Sequence, residues 1–229
     1  SHRLVPAEAT LPPIGEQVTR EQAIKSINAQ PLLFTPGSKF SYSNAGYLIL
    51  GYIVESVAGR SFADFIHEEF ALPLGLIDTG VCGTQNLPQP LGHAFLATGV
   101  KEVPAIHHSQ MFSSGAVCST AFDLARWSHL LASGRAILPA SYETMTTPGR
   151  LNNGSVVPDN YGMGLYVMNM LGHRAVSHSG LTLGFASFFL YLADQEIAVA
   201  VIMNAAPPPS GRAPQIIAEA VAKAALGAL

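Results

Sequence analysis

Charge is scarce in this sequence. Asp, Glu, Lys and Arg together make up 12% of 229 residues, about half the usual share. So few charges cannot clothe an ordinary surface, which implies that some apolar surface is covered by something outside the chain. The net charge is −3 at pH 7. Basic residues are scattered, with no arginine-rich stripe and no interleaving of basic and aromatic residues, so no nucleic-acid partner is indicated. Long apolar runs are missing as well. The longest, Ile197 to Met203, is far too short to cross a bilayer, and no transmembrane segment is expected. No positively charged, apolar, cleavable leader opens the chain, which leaves the compartment open between cytoplasmic and periplasmic or secreted. Only two cysteines occur, Cys82 and Cys118. Two are no disulfide framework, and they read as partly buried thiols.

Several chemistries lack their motifs. No G-x-S-x-G elbow is present, which argues against an α/β-hydrolase. His67-Glu68-Glu69 begins like a zincin helix, but Ala71 stands where the second histidine belongs. Gly162-Met163-Gly164 has Val167 where a dinucleotide fingerprint wants glycine. His107-His108 has no placed carboxylate or thiol beside it and reads as an exposed polar pair rather than a metal site. Neither a cofactor nor a metal is expected.

What is present is a helical pattern followed by a β pattern. Residues Ser1 to Gly15 are proline-rich and aperiodic, within an extended lead-in over 1–18. Thr19 with Gln22 three residues later is a capping box, starting a short helix that ends before Pro31. Pro36-Gly37 reads as a tight turn, ahead of a polar segment that presents Tyr42 and Asn44 at the rim of a cleft. The next helix, closed by Gly59, carries Leu48, Ile49, Tyr52, Ile53 and Val57 on one face and Leu50 and Val54 off it. It should therefore be buried nearly all round. Ser61 caps a second helix bearing Phe62, Phe65, Ile66 and Phe70, ended by Pro73 and Gly75. Thr79 to Ser109, with Pro88, Pro90 and Pro104, reads as a loop. Ser119 or Thr120 caps a helix lined by Leu124, Trp127 and Leu131. The turn-rich stretch from Pro148 to Asn160 leads into alternating segments over Tyr161–Val167, Phe185–Tyr191 and Ile197–Val201. Ala193-Asp194-Gln195-Glu196 joins the last two as a hairpin. Pro214 opens a closing helix with Ile216, Ile217, Ala220, Val221 and Ala224 as its apolar stripe. The fold class is thus α+β. A mainly helical lobe covers 19–150 and an antiparallel sheet with a C-terminal helix covers 151–229, as lobes of one domain.

Tyr42-Ser43-Asn44 and His178-Ser179-Gly180 are each weak signals alone. A structural tyrosine, or a histidine merely hydrogen-bonded at a strand end, explains either. In this order, with these flanks, they carry more. Pro36-Gly37-x-x-Phe40-x-Tyr42-Ser43-Asn44-x-Gly46-Tyr47-x-x-Leu50-Gly51 resembles the serine β-lactamase and penicillin-binding-protein superfamily. The nearest branch looks like the class C-type esterases, D-aminopeptidases and DD-peptidases. The resemblance continues through Pro73-Leu74-Gly75-Leu76, Ser114-Gly115 with Ser119-Thr120, and Tyr161-Gly162-x-Gly164-x-Tyr166. It then runs from His178-Ser179-Gly180 to Asn204, so that it covers most of the chain.

That resemblance implies a β-lactamase/transpeptidase-like fold and a serine hydrolase acting through an acyl-enzyme on small esters or D-amino-acid peptides and amides. Tyr42 would shuttle the proton, and Asn44 would hold a substrate amide or acyl side chain. His178 and Ser179 would replace the Lys-Thr of the family's Lys-Thr-Gly. Gly180 would let substrate lie flat along the strand edge, and the Leu181 backbone N–H would be an oxyanion donor. A histidine with a pKa of about 6.5 is mostly neutral at pH 7, which tilts the reading away from an efficient β-lactamase. One departure is serious. The family nucleophile is the serine of Ser-x-x-Lys, and no serine here has lysine three residues on. The motif is expected upstream of residue 1 or on a second copy, as the complementing partner, and the chain alone is expected to be inactive. The other reading is a catalytically inactive module that binds a peptide or acyl ligand in the same cleft.

Overall fold

The computed structural model describes residues 12–84, 87, 90–206 and 213–228. Most of the lead-in (1–11) and Pro88 lie outside them. The first half holds α1 (Arg20–Asn28) and α2 (Asn44–Ala58), then a helical run in which α3 (Phe62–Ile66) passes through a π-helical turn (His67–Ala71) into α4 (Leu72–Leu74). There follow β1 (Gly80–Val81), β2 (Gly92–Leu96), β3 (Gly99–Val103), α5 (His108–Met111), β4 (Val117–Cys118), α6 (Ala121–Ala132) and α7 (Pro139–Met145). The second half holds β5 (Tyr166–Met170), β6 (His173–Thr182), β7 (Phe185–Leu192), β8 (Ile197–Met203), β9 (Ala205–Ala206) and α8 (Ala213–Leu226). This is a mixed fold of helices and antiparallel sheet, as the sequence pattern predicts.

β5 to β8 form a four-stranded antiparallel sheet in sequential order, with a different helix on each face. Successive strand residues point to opposite sides, and the core divides accordingly. Phe188, Leu190, Leu192 and Val199 pack with Ala218 and Ala222 of α8. Val176 and Tyr191 pack with Leu131 and Trp127 of α6 and Tyr142 of α7. The Ala193–Glu196 connection closes the β7–β8 hairpin, with Leu192 opposite Ile197 and Glu196 left-handed at φ 53°. β5 starts later than the alternation from Tyr161 suggests. Gly164 takes φ 82°, and the Gly162 N–H donates to the Leu165 carbonyl at 2.8 Å, so 161–165 is a turn. β5 pairs with β6 only as far as Ser177. Beyond it, among the described residues, no strand borders Ser179–Thr182 on that side, and this stretch of β6 is an open edge.

The caps follow the sequence. Thr19 and Gln22 form both halves of the capping box, Ser61 and Thr120 cap α3 and α6 through the N–H groups of Asp64 and Asp123, and Gly59 and Gly75 end α2 and α4 in the left-handed conformation. Four expectations need correction. The loop from Thr79 to Ser109 contains the β2–β3 hairpin, and β2 also runs parallel to β9. α2 buries only Leu48, Gly51 and Tyr52, leaving Ile49, Leu50, Ile53 and Val57 at 40–83% exposure. On α8 the buried residues are Pro214, Ala218 and Ala222. The predicted stripe of Ile216, Ile217 and Val221 faces outward, because small alanines let the helix approach the sheet closely. Finally, Cys82 and Cys118 are a disulfide with Cα atoms 5.2 Å apart. Pairing of β1 with β4 puts Gly80 opposite Cys118, and the Cys82 N–H donates to Ala116 O at 2.9 Å, which brings the two side chains within bonding reach.

Candidate active site

A turn and a cap set Tyr42 and Asn44. In Thr35-Pro36-Gly37-Ser38 the Ser38 N–H donates to Thr35 O at 3.0 Å. Proline presets the second position and Gly37, at φ 78°, takes the left-handed third. Asn152 pins this turn from far along the chain. Its N–H donates to Gly37 O at 2.8 Å and its Nδ2 to Pro36 O at 3.1 Å. Ser43 then caps α2, accepting from the Gly46 N–H at 3.3 Å. Tyr42 therefore stands just outside a helix start and Asn44 in its first turn.

Tyr42, Asn44, His178, Ser179, Gly180 and Leu181 all line one cleft of about 670 Å³. Two segments far apart in sequence thus meet, and the second lies on the open edge of β6. Gly180 also serves the sheet itself. A Cβ there would run into the Ser187 hydroxyl on the neighbouring strand, so glycine first makes room for that side chain. His108, read as exposed, is half-buried and lines the same cleft. Its ring stacks on His107 with centroids 4.4 Å apart. Burial, and then the His107 charge, hold His108 below the ordinary histidine range.

One wall of the cleft belongs to an aromatic cluster whose connections the sequence does not reveal. Tyr161 makes an edge contact with Tyr42, centroids 6.0 Å apart, and with Tyr166 at 4.8 Å. Tyr42 and Tyr166 lie 6.0 and 5.3 Å from the His178 ring. A directed hydrogen-bond chain runs through the cluster. His178 Nδ1 is 2.8 Å from Ser179 O, and a carbonyl only accepts, so Nδ1 carries the proton. In the neutral ring Nε2 then accepts from the Tyr161 hydroxyl at 3.2 Å, and Tyr161 in turn accepts from Tyr47 at 3.0 Å. Burial first, then hydrogen bonding and charge from Tyr47, push the Tyr161 phenol far above its ordinary value. Tyr42 is pushed up by burial, then by Tyr47 and Tyr166. The Tyr161-Gly162-x-Gly164-x-Tyr166 pattern was visible in the sequence, but nothing in it says that Tyr161 reaches His178.

Two supports hold the rest of the lining. Buried Asp123 accepts from the Asp78 N–H at 2.9 Å and from Thr79 Oγ1 at 3.0 Å, and Thr79 Oγ1 also meets Ser119 Oγ at 2.7 Å. Phe112, at φ 37°, is held in that costly backbone conformation by stacking on Tyr52 and packing on Phe62. The next residue, Ser113, donates to Tyr47 O at 2.7 Å and so ties this segment to α2.

The Beta-lactamase family model matches residues 3–223. The chain belongs to the beta-lactamase family. Within the family it is similar to penicillin-binding protein 4* of Bacillus subtilis, 30% identical over 186 residues, which are 75% of this chain and 41% of that protein. The D-aminopeptidase of Gluconobacter oxydans is 25% identical over 192 residues, 83% of this chain and 36% of that one. The chain therefore spans less than half the length of these relatives. The D-amino acid amidase from Ochrobactrum anthropi SV3, complexed with L-phenylalanine amide, superposes with a TM-score of 0.81 at 20% identity, covering 98% of this chain and 68% of its own. The octameric penicillin-binding protein homologue from Pyrococcus abyssi gives 0.70 at 26% identity, covering 85% and 44%. The beta-lactamase/transpeptidase-like fold matches the architecture expected from the sequence.

Proposed function

We propose that this chain carries the substrate-binding side of a serine hydrolase acting through an acyl-enzyme on small esters or D-amino-acid peptides and amides, with the nucleophile supplied by residues outside it. The observation that carries this reading is the meeting of Tyr42 and Asn44 with the open His178–Leu181 edge in one cleft. The names of the relatives, a penicillin-binding protein and a D-aminopeptidase, support the same class of chemistry. In the proposed cycle a serine hydroxyl attacks the carbonyl carbon while its proton passes to Tyr42. The Leu181 N–H donates to the oxygen that becomes negative. Collapse of the tetrahedral intermediate breaks the bond to the leaving group, which takes the proton back from Tyr42, and water repeats the sequence on the acyl-enzyme. Asn44 orients the acyl group, and Ser179 and Gly180 guide the substrate along β6.

A phenol pushed up by burial is a poor base. Tyr42 needs a cation alongside to work as one, and a Ser-x-x-Lys motif brings a lysine. The complementing segment, from the same gene product or a second copy, would also cover the exposed apolar faces of α2 and α8. Tyr42→Phe in the complete protein tests the reading. Hydrolysis of a p-nitrophenyl ester should fall by roughly 10²–10⁴-fold with an unchanged melting temperature, and undiminished hydrolysis would leave Tyr42 only a structural part. The lack of Ser-x-x-Lys in this sequence favours a second reading, an inactive binding module. Failure of a fluorophosphonate to label the complete protein would decide for it.

A further inference from the structure

We propose that the cleft selects uncharged substrates with apolar acyl chains and discriminates against those that bring an ammonium or carboxylate into it. This rests on the hydrolase reading above and adds a substrate class to it. No Asp, Glu, Lys or Arg occurs among the described residues that line the cleft. Its ionisable side chains are Tyr42, Tyr166, His108 and His178. The hydrogen bond from His178 Nδ1 to the Ser179 carbonyl places the proton of the neutral ring on Nδ1, and Nε2 faces the Tyr161 hydroxyl, an uncharged partner. Burial against His107 favours the neutral ring of His108. The phenols are neutral at pH 7.

The floor repeats the pattern. Gly180, Ser187 and Ile202 stand directly opposite one another across β6, β7 and β8, so they share one face. Along that row a bare backbone gives way to one neutral hydroxyl and then to a branched alkyl group. Ile106, Met111, Leu124 and Phe185 extend the apolar lining. An ion entering such a cleft gives up hydration and meets no opposite charge in the described lining, and the lysine that a Ser-x-x-Lys motif would bring is engaged with Tyr42. An alkyl chain gains affinity by roughly fourfold for each methylene it buries.

The test uses the complete protein and three p-nitrophenyl esters of matched length: heptanoate, 6-aminohexanoate and the adipate half-ester. At pH 7, kcat/KM for heptanoate should exceed both charged esters by about tenfold or more. Equal values, or a preference for either ion, overturn the proposal. The matching anilides, measured by calorimetry, read the same preference without turnover. If no ester is hydrolysed the hydrolase reading falls, while tighter binding of the heptanoyl anilide still supports a neutral cleft and equal binding overturns it. Ile202→Glu, on the partly exposed β8, should narrow the gap for 6-aminohexanoate and widen it for adipate. Ser187→Asp is the alternative should Ile202→Glu not melt cooperatively. An unchanged ratio in a folded variant overturns the role given to this lining.

Discussion

Breaking the Cys82–Cys118 bond should destabilise the protein on a scale set by the loop it closes. The two cysteines are 36 positions apart. In the chain-entropy account, a loop of that length lowers the entropy of the unfolded chain by about 13 cal/mol/K, or about 4 kcal/mol at 25 °C. For a chain of this size each kcal/mol moves the melting temperature by roughly 2–4 °C, so a Cys82→Ser, Cys118→Ser double variant should melt roughly 8–15 °C lower. The segment inside the loop holds the β2–β3 hairpin and α5, and it contributes Ile106, His108 and Met111 to the cleft, which both cysteines also line. Loosening that segment should therefore raise KM as well as lower stability. Thiol titration of the denatured protein, with and without prior reduction, establishes the bond, and thermal melts of the oxidised, reduced and double-variant forms give its contribution. Two titratable thiols in the unreduced protein, or a double variant melting within about 2 °C of the parent, would refute the reasoning.

Asp123→Ala should cost about 1–2 kcal/mol, because it removes a buried acceptor from the part-buried Asp78 N–H and leaves the Thr79 hydroxyl only Ser119 as a partner; urea denaturation measures it, and Asp123→Asn, which keeps one oxygen, should cost less. Tyr161→Phe should lower stability by about 1 kcal/mol and free the His178 ring, seen as a change in its ¹⁵N chemical shifts; unchanged shifts would mean that Tyr161 does not set the tautomer. Stability should also fall at high pH. Tyr42, Tyr161 and Tyr166 are all pushed above the ordinary phenol value, so their contribution is complete below a pH of about 10 and disappears as the pH rises through the raised values. An ultraviolet titration in which all seven tyrosines ionise near pH 10 with the fold intact would contradict this.

Local signals were the legible part of the fold. Thr19 with Gln22, Ser61, Pro36-Gly37 and the Ala193–Glu196 hairpin act within a few residues, and a one-dimensional reading captures such physics. The two halves of the candidate site could be named because Tyr42-Ser43-Asn44 and His178-Ser179-Gly180 are contiguous and, with their flanks, resemble the family; that they line one cleft is what the structure adds. What escaped depends on contacts between distant residues. Cys82 and Cys118 pair because β1 and β4 are adjacent, and no spacing encodes that. Tyr161 reaches His178 only because Gly162 and Gly164 fold the chain back before β5. On α2 and α8 the apolar periodicity marks helices, but it says how many faces are apolar and not which of them is covered. On α8 the small Ala218 and Ala222 took that place from the larger Ile216, Ile217 and Val221.

The scarcity of charge also bears on how Tyr42 would be made reactive. Burial and the neighbouring phenols act on it in one direction, upward. Bringing it down requires a cation nearby, and the effect of that cation depends on what else surrounds it. Two unit charges 4 Å apart interact by about 4 kcal/mol at the effective dielectric of a protein surface, against about 1 kcal/mol in water. A carboxylate in the lining would pair with an arriving lysine and spend that interaction on itself. A second cation would compete for the phenolate and oppose the lysine by like-charge repulsion. Because the described lining has neither, a single lysine brought by the nucleophile motif would act on Tyr42 without a rival. The neutrality that disfavours charged substrates would then be the condition under which one cation suffices to turn a buried phenol into a base.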